Sequence, residues 1–194
     1  MSKVEIGIEP AQQREVAAPL NMALEAVVIP VSDVERAKRF YGGLGWRLDL
    51  DFDSGRGYRA IQFTPPGSGC SVTFGHDVTA AAPGSIQGLL LVVSNIEAAR
   101  NELLRRGVGV SELFHDAGGV FHRVGPEGQA PGPNPQRKSY ASYFSFSDPD
   151  GNGWVVQEVT ARLGPDLAEG DTRFTPELVK ALLHPASSVH ANPL

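Results

Sequence analysis

Two kinds of apolar run alternate along the chain, and their order repeats. Val27 to Val31, interrupted only by Pro30, and Leu89 to Val93 are short continuous stretches of the kind that form buried strands. Each is followed by a Ser-x-x-Glu box, Ser32 to Glu35 and Ser94 to Glu97, in which the serine is read as a helix N-cap. Apolar residues at helical spacing come next: Val34, Ala37, Phe40, Tyr41 and Leu44, then Ile96, Ala99, Leu103 and Leu104. Gly42-Gly43 and Gly107 are read as the helix stops. An offset of 62 residues carries Val31 onto Val93. After each helix the pattern predicts three short strands, over 46–52, 58–63 and 71–74 in the first half and 108–114, 140–146 and 154–159 in the second.

Each half therefore reads β-α-β-β-β, and one face of its sheet has no helix to cover it. The expected fold is α+β: two βαβββ modules, about 21–83 and 84–161, pairing into one curved mixed sheet around a cavity. Residues 1–20 are polar and aperiodic and read as an N-terminal arm. Residues 162–194 read as an extension in which Thr175-Pro176-Glu177 opens a short helix running to Leu183. From Ala117 to Pro135, five glycines and four prolines in nineteen residues mark an irregular loop across the cavity mouth.

Composition narrows the setting. Seventeen basic and 22 acidic side chains give a net charge of −5 without a Lys/Arg block, so neither nucleic acid nor an anionic membrane is an expected partner. No apolar run approaches the ~18–20 residues of a membrane-spanning helix, and the N-terminal residues lack the apolar region of a secretory signal. A single cysteine, Cys70, rules out an intrachain disulfide and a multi-thiolate zinc site. A cytoplasmic location is the resulting expectation.

Two stretches carry a family resemblance. They are Val31-Ser32-Asp33 through Arg39-Phe40-Tyr41 with Leu44-Gly45-Trp46, and Phe146-Ser147-Asp148-Pro149-Asp150-Gly151-Asn152 leading into a last strand. Over about residues 22–160 the chain resembles the vicinal oxygen chelate superfamily, the group of glyoxalase I, bleomycin-binding proteins and extradiol dioxygenases. Enzymes of that group hold a divalent metal with one side chain from the first and one from the last strand of each half. Carried over by spacing, those positions fall on Ala26, Ser71, Gly88 and Val155. None offers an imidazole or carboxylate, so neither a metal nor any other cofactor is expected.

Strand alternation gives the cavity a lining of Ala26, Val28, Ser71, Thr73, Gly88, Leu90, Val155 and Gln157, with the aromatics Phe52, Phe63 and Tyr143 near it. A pocket of this kind suits a small organic molecule held by buried area and a few hydrogen bonds. That resembles the metal-free, bleomycin-binding branch of the family. The alternative is an enzyme of the same superfamily (lyase, isomerase, dioxygenase or thiol transferase) that uses the loop histidines His115 and His122 or a metal at other positions. Arg137-Lys138 is a further candidate for meeting an anionic substrate. The resemblance implies a homodimer as the possible assembly, and the sequence leaves open whether the modules pair within one chain or between two.

Overall fold

In a computed structural model, residues 22–117, 128–161 and 175–178 are described. The first module runs β1 (Ala26–Val28), α1 (Val34–Gly43), β2 (Arg47–Asp53), β3 (Arg59–Thr64) and β4 (Ser71–His76). The second runs β5 (Leu89–Val93), α2 (Ile96–Arg105), β6 (Phe114–Asp116), β7 (Gln129–Pro131), β8 (Ser142–Ser147) and β9 (Gly153–Glu158). Strand order is β1-β4-β3-β2 in one sheet and β5-β9-β8-β6-β7 in the other. In each, the first strand pairs parallel to the last, Ala26 beside Ser71 and Leu90 beside Val155.

The helices begin one residue later than the serine boxes imply. Asp33 and Asn95 are the caps, accepting from Arg36 N and Ala98 N at 2.9 Å each. Ser32 is thereby released, and its hydroxyl donates to Asp150 in the other module. Gly42 and Gly43 lie inside α1, and the left-handed residue beyond its end is Gly45, at φ 78°. Gly107, at φ 79°, follows α2 as expected. The strand expected over 108–114 lies later, as β6, and only the bridge from Val110 to Phe146 precedes it. Part of the Gly/Pro-rich stretch pairs instead as β7, an edge strand that tolerates Pro131. Near the C-terminus, Leu178 N donates to Thr175 Oγ1, the cap expected there, and the rest of that helix lies outside the described residues.

Among the described residues the strands form two mixed sheets, one per module, with no strand pairing between them. What joins the modules is one core. Ile29, Tyr41, Ile61, Phe63 and Phe74 of the first module share it with Ile96, Phe144, Phe146, Trp154 and Val156 of the second. Tyr41 and Trp46 both meet the Trp154 ring edge-on, at centroid distances of 6.2 and 5.3 Å. Around this aromatic centre, the two family motifs interlock. Asp148 accepts from Tyr41 Oη at 2.9 Å and from its own turn, while Asn152 Nδ2 donates to Pro30 O at 2.8 Å. Arg106 adds a tie from α2 to the C-terminal end of α1, donating to Gly43 O. The faces of both sheets that carry the helices are consumed by this core, and the opposite faces expose Val28, Leu50 and Phe52 on the first sheet and Leu90 and Val92 on the second.

Candidate functional site

Side-chain alternation separates the core face of each strand from its open face. In β1 and β4, Val27, Ile29, Val72 and Phe74 point into the core, leaving Ala26, Val28, Ser71 and Thr73 on the open face. In β3, Ile61 and Phe63 are core residues, so Ala60, Gln62 and Thr64 share the open face. Phe63 is thus misplaced by the sequence reading. It is 2% exposed and stacks on Phe74 at 6.1 Å, away from the proposed lining.

β2 contains the decisive irregularity. Strict alternation in Arg47-Leu48-Asp49-Leu50-Asp51-Phe52-Asp53 would place Leu48, Leu50 and Phe52 together. A bulge between Leu48 and Leu50 instead leaves Leu48 opposite Phe63 but sets Leu50 opposite Gln62 and Phe52 opposite Ala60. Leu50 and Phe52 therefore reach the open face, and Asp51 turns to the helix side, where it pairs with Lys38 and Arg59. Asp49, the extra residue of the bulge, accepts from Thr64 Oγ1 and Arg47 Nε.

On the second sheet, Leu90, Val92, Val155, Gln157, Tyr143 and Phe114 occupy the open face. Phe114 and Tyr143 stack at 5.6 Å. Gln157 Nε2 donates to Tyr140 O at 2.9 Å and to Tyr143 Oη at 3.0 Å, and Tyr143 Oη donates to the same carbonyl at 2.6 Å. Burial pushes the Tyr143 phenol up to about 12, so it remains a neutral donor. Tyr140 is held at φ 67°, a conformation an aromatic residue seldom adopts, to deliver that carbonyl. Gly88 lies just before β5, at φ 76°.

The structure thus brings Ala26, Val28, Ser71, Thr73 and Phe52 onto one open face and Leu90, Val155, Gln157 and Tyr143 onto the other. Sequence reasoning missed Asp49, Leu50, Gln62, Thr64, Val92 and Phe114; the Asp-rich alternation of β2 was a signal, but the bulge hid its phase. Neither face covers the other: Val28, Leu50, Phe52, Leu90 and Val92 are between 42 and 56% exposed.

The remaining candidates separate from the site. His115 pairs with Ser142, whose neighbours Phe144 and Phe146 face the core, so its ring lies on the side opposite Phe114; its Nδ1 is 3.0 Å from Gly132 O. His122 lies outside the described residues. Arg137 is taken up by Glu97 and by the fully buried Glu158, at 3.2 and 2.7 Å, which makes it a clamp on the base of the loop rather than a receptor for an anion. The four family metal positions carry a methyl, a hydroxyl, a hydrogen and an isopropyl group, and Ser71 Oγ is engaged by Thr64 at 2.7 Å. These groups do not fit a divalent metal. Among the described residues, no three His, Cys, Asp or Glu side chains are grouped to hold one elsewhere, and no helix is long and apolar enough to cross a membrane.

Comparison with known proteins gives this geometry a family. The model of the Glyoxalase/Bleomycin resistance protein/Dioxygenase superfamily matches residues 23–156. Among solved structures, TnmS3, an antibiotic binding protein from Streptomyces sp. CB03234, is 28% identical with a TM-score of 0.53, over 73% of this chain and 99% of that one. A glyoxalase/bleomycin resistance protein from the same organism is 29% identical with a TM-score of 0.51, over 70% of this chain and 100% of its own. A member of the superfamily from Sphaerobacter thermophilus DSM 20745 is 27% identical with a TM-score of 0.51, over 71% and 98%. Comparison with curated protein sequences gave no match. With the matched region spanning both modules and both interlocking motifs, the chain belongs to the glyoxalase/bleomycin resistance protein/dioxygenase superfamily.

Proposed function

We propose that this protein binds a small, largely apolar organic molecule, without a metal, in a cavity that two copies of the chain build together. The observation that carries the reading is the pair of open faces, each bearing exposed aliphatic or aromatic side chains while the core faces are already spent. Apolar rows of this kind on a soluble surface mark a place where something docks. Two further features support a second copy as the cover. Both β1 and β5 are terminal strands, and β5 is five aliphatic residues long with no charge or proline to protect its edge. If β1 of one copy pairs with β5 of the other, the first sheet of one chain continues into the second sheet of its partner. The curved sheet around a cavity then forms between chains. The description of TnmS3 as an antibiotic binding protein agrees with an organic ligand there.

The test is assembly and binding together. Sedimentation equilibrium should give a dimer, and a panel of planar aromatic antibiotics should contain a compound that raises the melting temperature. A ligand at 100 times its Kd adds about 2.7 kcal/mol. Phe52→Gln and Leu90→Gln should each abolish binding, and coexpression of the two should restore one site per mixed dimer, because one of its two cavities then receives two native faces. A monomer stabilised by none of the panel, or stabilisation by divalent metal alone accompanied by turnover, would overturn the proposal.

A further inference from the structure

The polar atoms left over on the open faces specify the chemistry of the ligand, an inference that rests on the binding reading above. Among the described residues, three buried polar side chains lie on those faces: Thr64, Ser71 and Gln157. Thr64 Oγ1 donates its proton to Asp49, a carboxylate that can only accept. The proton between Thr64 and Ser71, 2.7 Å apart, must therefore come from Ser71. The chain of hydroxyls runs one way, Ser71 to Thr64 to Asp49, and Ser71 has only lone pairs left to offer. The same logic fixes Gln157. Tyr140 O can only accept, so the Gln157 amide must turn Nε2 toward it, and both Nε2 protons are spent on Tyr140 O and Tyr143 Oη. Its Oε1 has no partner among the described residues. On the first face Gln62 accepts from Thr73 through Oε1, which leaves its amide nitrogen as a donor, whereas Ser71 and Asp49 on that sheet and Gln157 Oε1 on the other offer acceptors.

The first sheet adds a negative charge. The bulge in β2 sets Asp49 beside Leu50 and Phe52, at the head of the hydroxyl chain, with 19% of its side chain exposed. Its cationic partner Arg47 is 74% exposed, so the pair is open to solvent and to competition. We propose that the ligand is an amine: an apolar, aromatic body carrying a protonated nitrogen that donates to Asp49 and Ser71, with a second N–H or O–H donor able to meet Gln157. A neutral ligand made only of carbonyl or ether acceptors would meet the Gln62 amide nitrogen but leave Asp49, Ser71 and Gln157 Oε1 unmatched, at a loss of affinity.

A matched pair of dyes tests this on the intact chain. Dansylcadaverine carries a primary ammonium on a naphthalene body, and its N-acetyl derivative carries the same body without the charge. In fluorescence titrations at pH 7, the amine should bind about tenfold tighter than the acetylated dye, the low end for a partly exposed charge-assisted hydrogen bond. The ratio should shrink as salt is raised. In Asp49→Asn it should fall to about onefold, and Ser71→Ala, which leaves the charge in place, should reduce it in part. Melting temperatures of both variants identify any loss of fold. Equal binding of the two dyes to the native protein, or a tenfold ratio that survives Asp49→Asn in a folded variant, would overturn the amine inference while leaving the cavity reading in place. Failure of both dyes to bind the native protein would overturn the cavity reading as well.

Discussion

Replacing Tyr41 by Phe removes one oxygen atom from the joint between the modules and leaves the ring that fills the core. That oxygen is fully buried, donates to Asp148 Oδ2 at 2.9 Å and accepts from Trp154 Nε1 at 3.3 Å. Burial and the charge of Asp148 hold the phenol well above its ordinary pKa, so it donates at every working pH. In the variant, Asp148 keeps Asn152 Nδ2 and two backbone amides, so its charge stays solvated by the turn. The loss is one hydrogen bond to a charged acceptor, roughly 1.5–3 kcal/mol, plus a buried indole N–H left without a partner, roughly 1 kcal/mol. The expected destabilisation is about 2.5–4 kcal/mol, and no cavity term adds to it because the ring remains. Urea denaturation at fixed protein concentration should show a lower midpoint with an unchanged slope. A change below about 0.5 kcal/mol would refute the interlock as a source of stability. Native stability with ligand binding lost would instead make Tyr41 part of the site.

Two other sites yield expectations of different kinds. At Gly84, in the linker between modules, a Cβ would stand 2.1 Å from Asp150 O, and the backbone is at φ 75°. Gly84→Ala should therefore lower the melting temperature by at least about 5 °C in a calorimetric scan, since both strain and backbone displacement are imposed. In acid, Asp51 provides a slope. Hydrogen bonds from Arg59 and Lys38 hold its pKa at about 2, below the ~3.9 of an unfolded chain, so its contribution is complete above pH 4 and lost as pH falls toward 2. Because the pair network is solvent-accessible, the contribution is at most about 1 kcal/mol. Stability curves of the native protein and Asp51→Asn should converge across that window, and parallel curves would count against it.

The repeat and both helices were legible because period and spacing are local properties. So was the open face of β1, β4, β5 and β9, where uninterrupted alternation fixes which residues share a side. Phe63 shows where this fails: without the register of β2 against β3, nothing in the sequence tells whether Phe52 and Phe63 share a face, and the bulge at Leu48/Leu50 determines that they do not. Ser32 fails differently, because Asp33 competes for the same cap and only the distant Asp150 explains what the serine does instead. The motif pair that identifies the family proved to be an inter-module lock, built from contacts more than a hundred residues apart in sequence. Whether the sheets join was illegible for a further reason: in the proposed assembly it depends on what pairs with β1 and β5, the terminal strands among the described residues, and no local pattern specifies that.

The four small residues that the family resemblance places at metal positions are not equivalent, and the difference bears on the proposed metal-free binding. Ala26 and Val155 sit within regular strands, where another side chain could be carried without altering the backbone. Ser71 is tied into the hydroxyl chain that ends at Asp49. Gly88 is different again: a Cβ there would meet nothing within 4 Å, so crowding does not demand glycine, but its φ of 76° does. A ligating residue at 88 would have to hold a left-handed backbone or change the path into β5, the strand whose edge is proposed to pair across the dimer. Three substitutions could supply metal-binding side chains at these positions, whereas the fourth would trade directly against the path into β5 on which the proposed cavity depends.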